Sequence, residues 1–407
     1  MTSTGKKYPK LLVAASFRGN TGAGGYPMIE QLLRGWPRDR IIWWYPGKAE
    51  KLKEGMCCES FGPGEIPKWM TPHRRFNEIK CRFFELFYLP RAVRNLRKVI
   101  RTEKPDVVWM APYGFATPIF RKVLNKQIKQ KLHVSIHDMA DTDGLVKKCG
   151  RERADSFQSQ LEEIYAMSDS RDCVTAEMSQ DLERCTGKKA DLIIKYGAEP
   201  EQIRALREKS ANPPSETPSV IRIGYAGTVI AEETFALFIR ALRSIGDRLQ
   251  CPVEVHLFSP FSYKNKSWFD ASLIRERGFL SGDEFTREYA RSHWGLSIMH
   301  LEDSDPRYNG YSIPCKSTRT LADGIPLICL ANKNSTLYKM ASTHSLGFVS
   351  DSRDEKFIGS ELLKLFNEEG SLSKEYVKMA VLLETECNAA RNRAALFDLL
   401  GVQNQSE

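Results

Sequence analysis

Tyr311-Ser312-Ile313-Pro314-Cys315-Lys316-Ser317-Thr318-Arg319-Thr320-Leu321-Ala322-Asp323-Gly324-Ile325-Pro326-Leu327-Ile328 is the stretch that decides how this chain folds. Ser312 is placed to cap a helix, Pro314 fits its first turn, Gly324 suits the position just past its end, and Pro326 leads into a buried strand. A helix that begins at the carboxyl end of a parallel sheet turns N–H groups toward any ligand there, and Lys316 adds a full positive charge beside them. A diphosphate is the chemistry such a corner attracts. A well-capped helix with no ligand is the plainer reading of the same residues.

Outward from this stretch, short apolar runs rich in β-branched residues alternate with longer amphipathic segments, the pattern of βα units feeding parallel sheets. The first half offers strands at Leu11–Ser16, Ile41–Tyr45, Asp106–Met110, His133–Ile136, Cys173–Ala176 and Leu192–Lys195. The second offers Ile221–Ala226, Val253–Phe258, Trp294–Met299, Leu327–Leu330 and Gly347–Val349. Each half reads as doubly wound, so the expected class is α/β with two Rossmann-like domains. Ser210–Ser219, reading Ser-Ala-Asn-Pro-Pro-Ser-Glu-Thr-Pro-Ser, breaks helices and strands and suits an interdomain connection. The expected domains are residues 1–209 and 220–372, joined by 210–219 and followed by a helical segment, 373–407.

A length of 407 residues exceeds what one core usually organises. No repeat of solenoid or propeller period is present. The N-terminus lacks an apolar signal region, and no run of about 18 uncharged apolar residues occurs. The ten cysteines are scattered with no CxxC pair, which reads as reduced thiols and argues against structural zinc. A cytoplasmic protein is the expectation. The formal charge of +9 favours an anionic partner: nucleic acid, a lipid headgroup surface or a phosphorylated substrate.

Leu11–Ser16 runs into a glycine loop, Arg18-Gly19-Asn20-Thr21-Gly22-Ala23-Gly24-Gly25, and Pro27 suits the first turn of a helix reaching about Trp36. Pro27 replaces the third glycine of GxGxxG and Ile41–Tyr45 ends without an acid, which speaks against a dinucleotide cofactor. Gly22, Gly24 and Gly25 form either a tight turn or a loop that lets a ligand approach the backbone.

Ser312-Ile313-Pro314-x-Lys316, followed by Leu321-Ala322-x-Gly324-Ile325-Pro326-Leu327-Ile328, resembles the donor-site segment of GT-B glycosyltransferases, particularly the large retaining family (glycosyltransferase family 4-like, group 1) that builds bacterial polysaccharides. Ile221–Thr228 is similar to the strand and loop that open the family's donor domain. Arg277–Leu280, Asp283–Arg291 and Trp294–Met299 resemble its middle strand-helix-strand portion, Ile136-His137-Asp138 the acceptor-domain strand that carries a histidine, and Lys195-Tyr196-Gly197-Ala198 the turn before the linker. The resemblance implies two domains facing across a cleft, with the last helix packing back on the first domain. Gly227, Thr228, Ser312, Pro314, Lys316, Arg319 and Thr320 would then hold a nucleotide-sugar donor. His137 and Asp138 would serve catalysis, the Gly22–Gly25 loop would face the acceptor, and neither cofactor nor metal would be required.

The pattern departs from the family at three places. Arg319 stands where a glutamate usually holds the donor ribose, Tyr311 lies near the place of a second acid, and Glu232-Glu233 occupies a loop that normally brings a base to the diphosphate. The implied activity is a hexosyltransferase acting on a lipid-linked or polysaccharide acceptor with retention. A nucleotide-sugar 2-epimerase and a catalytically silent GT-B subunit are the alternatives.

Two further segments border this reading. Glu302, Asp303 and Asp305 precede Ser312 and read as an acidic surface loop. Residues 74–101 interleave nine Lys or Arg residues with Phe and Leu, from Arg74, Arg75, Lys80 and Arg82 to Arg91, Arg94, Arg97, Lys98 and Arg101. Such a helix either rests on an anionic membrane surface, placing the protein at the inner face of the membrane, or packs its aromatics inward. No nucleic-acid module accompanies the charge, so nucleic acid is not expected.

Overall fold

The computed structural model describes residues 6–18, 26–49, 59–66, 77–125, 128–212, 218–280, 282–303, 305–368 and 370–404. It divides into two compact units: Met1–Ile194 with Arg391–Glu407, and Lys195–Ala390.

In the first unit β1 (Lys6–Lys7) precedes β2 (Leu11–Ala15), β3 (Ile41–Trp44), β4 (Glu59–Phe61), β5 (Val107–Ala111), β6 (Lys131–Ile136), β7 (Ser170–Cys173) and β8 (Leu192–Ile193). The last seven form one parallel sheet in the order β4-β3-β2-β5-β6-β7-β8. Its central strands are buried on both faces, as crossover helices require, so β2 and β5 read as unbroken apolar runs. The helices are α1 (Tyr26–Leu32), α2 (Asn77–Phe83), α3 (Leu89–Glu103), α4 (Thr117–Leu124), α5 (Asp143–Cys149), α6 (Arg151–Met167) and α7 (Ala176–Thr186).

The second unit opens with α8 (Pro200–Ala211) and continues through β9 (Ile221–Ala226), α9 (Glu232–Ile245), β10 (Val253–Phe258), β11 (Ile274–Glu276), α10 (Gly282–Tyr289) and β12 (Trp294–Ile298). It ends with α11 (Pro306–Tyr311), α12 (Cys315–Ala322), β13 (Leu327–Leu330), α13 (Thr336–Thr343), β14 (Phe348–Ser350), α14 (Glu355–Asn367) and α15 (Ser371–Thr385). Its sheet runs β11-β10-β9-β12-β13-β14, again parallel. The order reverses between β9 and β12, and in such sheets ligands bind at the carboxyl ends beside the reversal.

Several expectations shift. The strand expected at Cys173–Ala176 lies at Ser170–Cys173, because Thr175 instead caps α7, accepting from the Met178 N–H at 3.1 Å. Arg277–Leu280 follows its strand rather than forming it, since β11 ends at Glu276. The short edge strands β4 and β11 carry too few apolar residues to register in the pattern. The helix after the glycine loop stops at Leu32. Ser210 and Ala211, expected in the linker, complete α8, which packs along α15; residues 213–217 lie outside the described residues. The C-terminal helical segment is interrupted between α15 and α16 (Ala389–Leu400), where Cys387 O accepts from Ala198 N at 2.8 Å. From Arg391 the chain belongs to the first unit, where β15 (Gln403–Asn404) pairs antiparallel with β1.

Candidate functional site

Tyr225, next to last in β9, is fully buried and organises the second unit's corner. Its hydroxyl donates to Thr228 O at 2.9 Å and accepts from Lys316 Nζ at 2.7 Å. The Lys316 ammonium also stands 4.2 Å from the centre of the Tyr225 ring, within cation–π range. One phenol therefore ties the loop after β9 to the start of α12. Gly227 turns that loop at φ +98°, where a side chain would be strained, and its N–H donates to Phe258 O at 2.8 Å. Thr228 itself is exposed.

Burial lowers Lys316 to about 8, and among the described residues it makes no ion pair. It sits in the first turn of α12, where the helix dipole is positive, so like charges are gathered with no acid to offset them. An anion with two or more oxygens is the ligand that would relieve this arrangement.

The other residues expected at a donor site play varied parts. Pro314, not Ser312, is the N-cap of α12; Ser312 closes α11, its N–H donating to Tyr308 O at 3.0 Å. Thr320 faces inward, donating to Lys316 O at 2.7 Å and lying 2.8 Å from the Tyr289 hydroxyl. Its methyl occupies the space above Gly295, so close that a Cβ there would come within 2.2 Å, and this lets α12 settle onto β12. Arg319 turns toward α10, 3.6 Å from Asp323 and 4.9 Å over the Phe285 ring. Structure thus brings together Gly227, Thr228, Pro314 and Lys316, and commits Thr320 and Arg319 to packing.

Of the acids flagged in the sequence, Glu232 and Glu233 open α9, where Glu233 is exposed, and the others have basic or amide partners. Glu232 accepts from Lys266 at 2.8 Å and from the Trp268 indole at 3.4 Å, and the Lys266 contact lowers its pKa. Glu302 pairs with Arg353, Asp303 accepts from Asn334, and Asp305 caps α11 through Tyr308 N at 3.1 Å.

In the first unit His137 and Asp138 follow β6, and Tyr113 follows the neighbouring β5. Burial, with Asp138 adding to it, pushes the Tyr113 phenol up to about 12. Burial likewise lowers His137 against the pull of Asp172, so its imidazole is neutral at pH 7. His137 Nε2 is buried without a hydrogen-bond partner among the described residues. Deeper in the sheet, His133 Nε2 lies 2.8 Å from Asp172 and its Nδ1 3.0 Å from the Ser170 hydroxyl. Ser135 donates to the same Asp172 and accepts from the Trp109 indole at 2.7 Å. This network is buried beneath the sheet's end and holds β5, β6 and β7 in register. Gly22, Gly24 and Gly25 lie outside the described residues.

Sequence reading missed Tyr225 and Tyr113. Each stands at or just past a strand end and shortly before a glycine, a signal visible in Tyr225-Ala226-Gly227 and Tyr113-Gly114.

No protein-family model and no curated protein matches the chain. Solved structures do match it in fold. Sucrose-phosphate synthase from Thermosynechococcus elongatus superimposes with a TM-score of 0.67 at 13% identity, covering 96% of this chain and 98% of that one. The α,α-trehalose 6-phosphate synthase of Burkholderia multivorans gives 0.66 at 10% identity, covering 97% and 96%. An E. coli structure described as trehalose-6-phosphate bound with UDP-2-fluoro glucose gives 0.64 at 13% identity, covering 98% and 99%. With two parallel α/β sheets matched over nearly its whole length, the chain has the GT-B fold of glycosyltransferases.

Proposed function

We infer that the protein is a hexosyltransferase that moves a sugar, with retention, from a nucleotide diphosphate to a lipid-linked or polysaccharide acceptor, working at the inner surface of a membrane. The observation that carries this reading is Lys316, a desolvated ammonium held by Tyr225 beside a helix N-terminus and paired with no carboxylate among the described residues. Transfer leaves charge on the departing diphosphate, and preorganised cations and amides stabilise that charge in place of a metal. The neutral His137, with Asp138 and Tyr113 on adjacent strand ends, supplies polar groups for the acceptor or transferred sugar. Uridine diphosphate glucose is the first donor to try, since a fold relative is described with a fluoro analogue of it.

A panel of UDP-, GDP- and ADP-sugars, read by thermal midpoint, tests the proposal: one donor raises the midpoint in a concentration-dependent way, and a chelator leaves that rise unchanged. If no nucleotide stabilises the protein, the alternative of a catalytically silent subunit takes over. Arg319 favours that alternative, being bound to Asp323 where the resemblance calls for a ribose-holding acid. Nucleotide release that needs no acceptor would instead indicate an epimerase.

A further inference from the structure

Residues 77–103 form one exposed ridge on the first unit, α2 and α3 joined by a π-helical turn at Phe84–Tyr88. The inner side of α3 is ordinary core, with Leu89, Val93, Leu96 and Ile100 buried. The outer side divides in two. Toward its start, Ile79, Leu86 and Phe87 are 53%, 68% and 59% exposed, and Phe83 stacks on Phe87 with ring centres 5.7 Å apart. The π turn inserts one residue between α2 and α3, rotating these side chains relative to the buried stripe of α3. Large apolar side chains grouped on a surface in this way mark an interaction site.

Toward its end the ridge turns basic. Arg91, Arg94, Lys98 and Arg101 make no ion pair among the described residues. The ridge's own acids are withdrawn: Arg153 of α6 holds Glu78 and Glu85, each at 2.7 Å, and Lys10 holds Glu103 at 3.0 Å. Between α3 and α4 lies an open groove of about 460 Å³ lined by Arg94, Arg97 and Lys122 with no acid. Arg97 reaches across it to Lys122 O and leaves its buried Nε without a partner.

We propose that this ridge docks the protein on a bilayer that carries anionic lipid, with Ile79, Phe83, Leu86 and Phe87 entering the interface and the α3–α4 groove receiving a headgroup phosphate. The proposal deepens the membrane part of the function inferred above and rests on it for its biological setting. The charge pattern selects the occupant: a protein partner with an apolar patch would not call for four uncompensated cations beside it, whereas an anionic bilayer meets both halves of the ridge at once.

The test is sedimentation of the full chain with phosphatidylcholine vesicles, with and without phosphatidylglycerol. Binding is expected only with the anionic lipid and falls with added salt. Arg94→Gln and Lys98→Gln each lower the partition coefficient about fivefold. Leu86→Ser with Phe87→Ser abolishes binding while circular dichroism stays unchanged. No binding, equal binding to neutral vesicles, or normal binding by the glutamine variants overturns the proposal, as does tighter binding of a short RNA with the same dependence on Arg94 and Lys98. Donor-induced thermal stabilisation, measured on the same samples, is expected to survive in every variant. Its absence from the wild type would refute the transferase reading while leaving the lipid result to stand or fall separately.

Discussion

Lys316 has given up much of its water without gaining a carboxylate among the described residues, which makes its charge conditional on pH and on a ligand. Burial depresses its pKa to about 8, so the ammonium is present below that value and lost above it. Affinity for a nucleotide diphosphate is therefore expected to weaken as pH rises through about 8, with the midpoint displaced upward in the complex because the bound anion favours the charged form. Isothermal titration across pH 6.5 to 9.5, roughly the range that brackets this depressed lysine, checks both points. Lys316→Met should weaken donor binding by about 10- to 100-fold, the scale of a charge-assisted hydrogen bond, and flatten the pH dependence. Tyr225→Phe keeps the ring beneath the ammonium but removes the oxygen that joins Lys316 to Thr228 O. A loss of roughly 2- to 10-fold is expected from that one hydrogen bond, with the pH dependence retained. Wild-type affinity in Lys316→Met would remove the lysine from the site altogether.

At the scale of elements, the contrast between β2 and β7 shows what the sequence conveyed and what it withheld. Leu11–Ala15 is apolar throughout, and its strand was readable from composition alone. Ser170-Arg171-Asp172-Cys173 is as thoroughly buried yet carries three polar residues, so the pattern points instead to the more apolar run that follows, Cys173–Ala176. The partners that make the burial of Ser170 and Asp172 tolerable come from elsewhere in the chain: His133 and Ser135 on β6 serve Asp172, and His133 also meets the Ser170 hydroxyl at 3.0 Å. No local pattern announces such pairings. The same limit applies to the site, where the glycine turn and a helix over Cys315–Ala322 were legible but its N-cap at Pro314 was not, and the inward turn of Thr320 and the seat of Arg319 over the Phe285 ring were set by packing on β12 and α10. Because Asp172 satisfies two neighbours at zero exposure, Asp172→Ala leaves both His133 and Ser135 short of a partner. A destabilisation of about 2–4 kcal/mol is expected by urea unfolding. A change under about 0.5 kcal/mol would show that β7 is held by its backbone ladder alone.

At the scale of the whole molecule, the chain leaves its first unit at Ile194 and returns at Arg391. The returning segment completes that unit's core. Phe397 packs edge-on against Tyr8 and Trp36, with ring centres 5.9 and 5.1 Å apart. Arg393 donates to Gln31 O at 3.1 Å, Lys131 donates to Leu399 O at 2.6 Å, and β15 pairs with β1. An aromatic ring so placed contributes on the scale of a large-to-small core substitution, so Phe397→Ala is expected to cost about 3 kcal/mol. The cost should fall on the unit that the ring belongs to. Hydrogen exchange followed by mass spectrometry distinguishes the units: in Phe397→Ala, amides of β2 and β5 should lose protection, while those of β9 and β12 keep theirs. Adding donor should then slow exchange around Gly227 and the start of α12 in both proteins alike. Faster exchange in β9 and β12 as well would mean that the C-terminal segment supports the entire fold, and that the two units open as one.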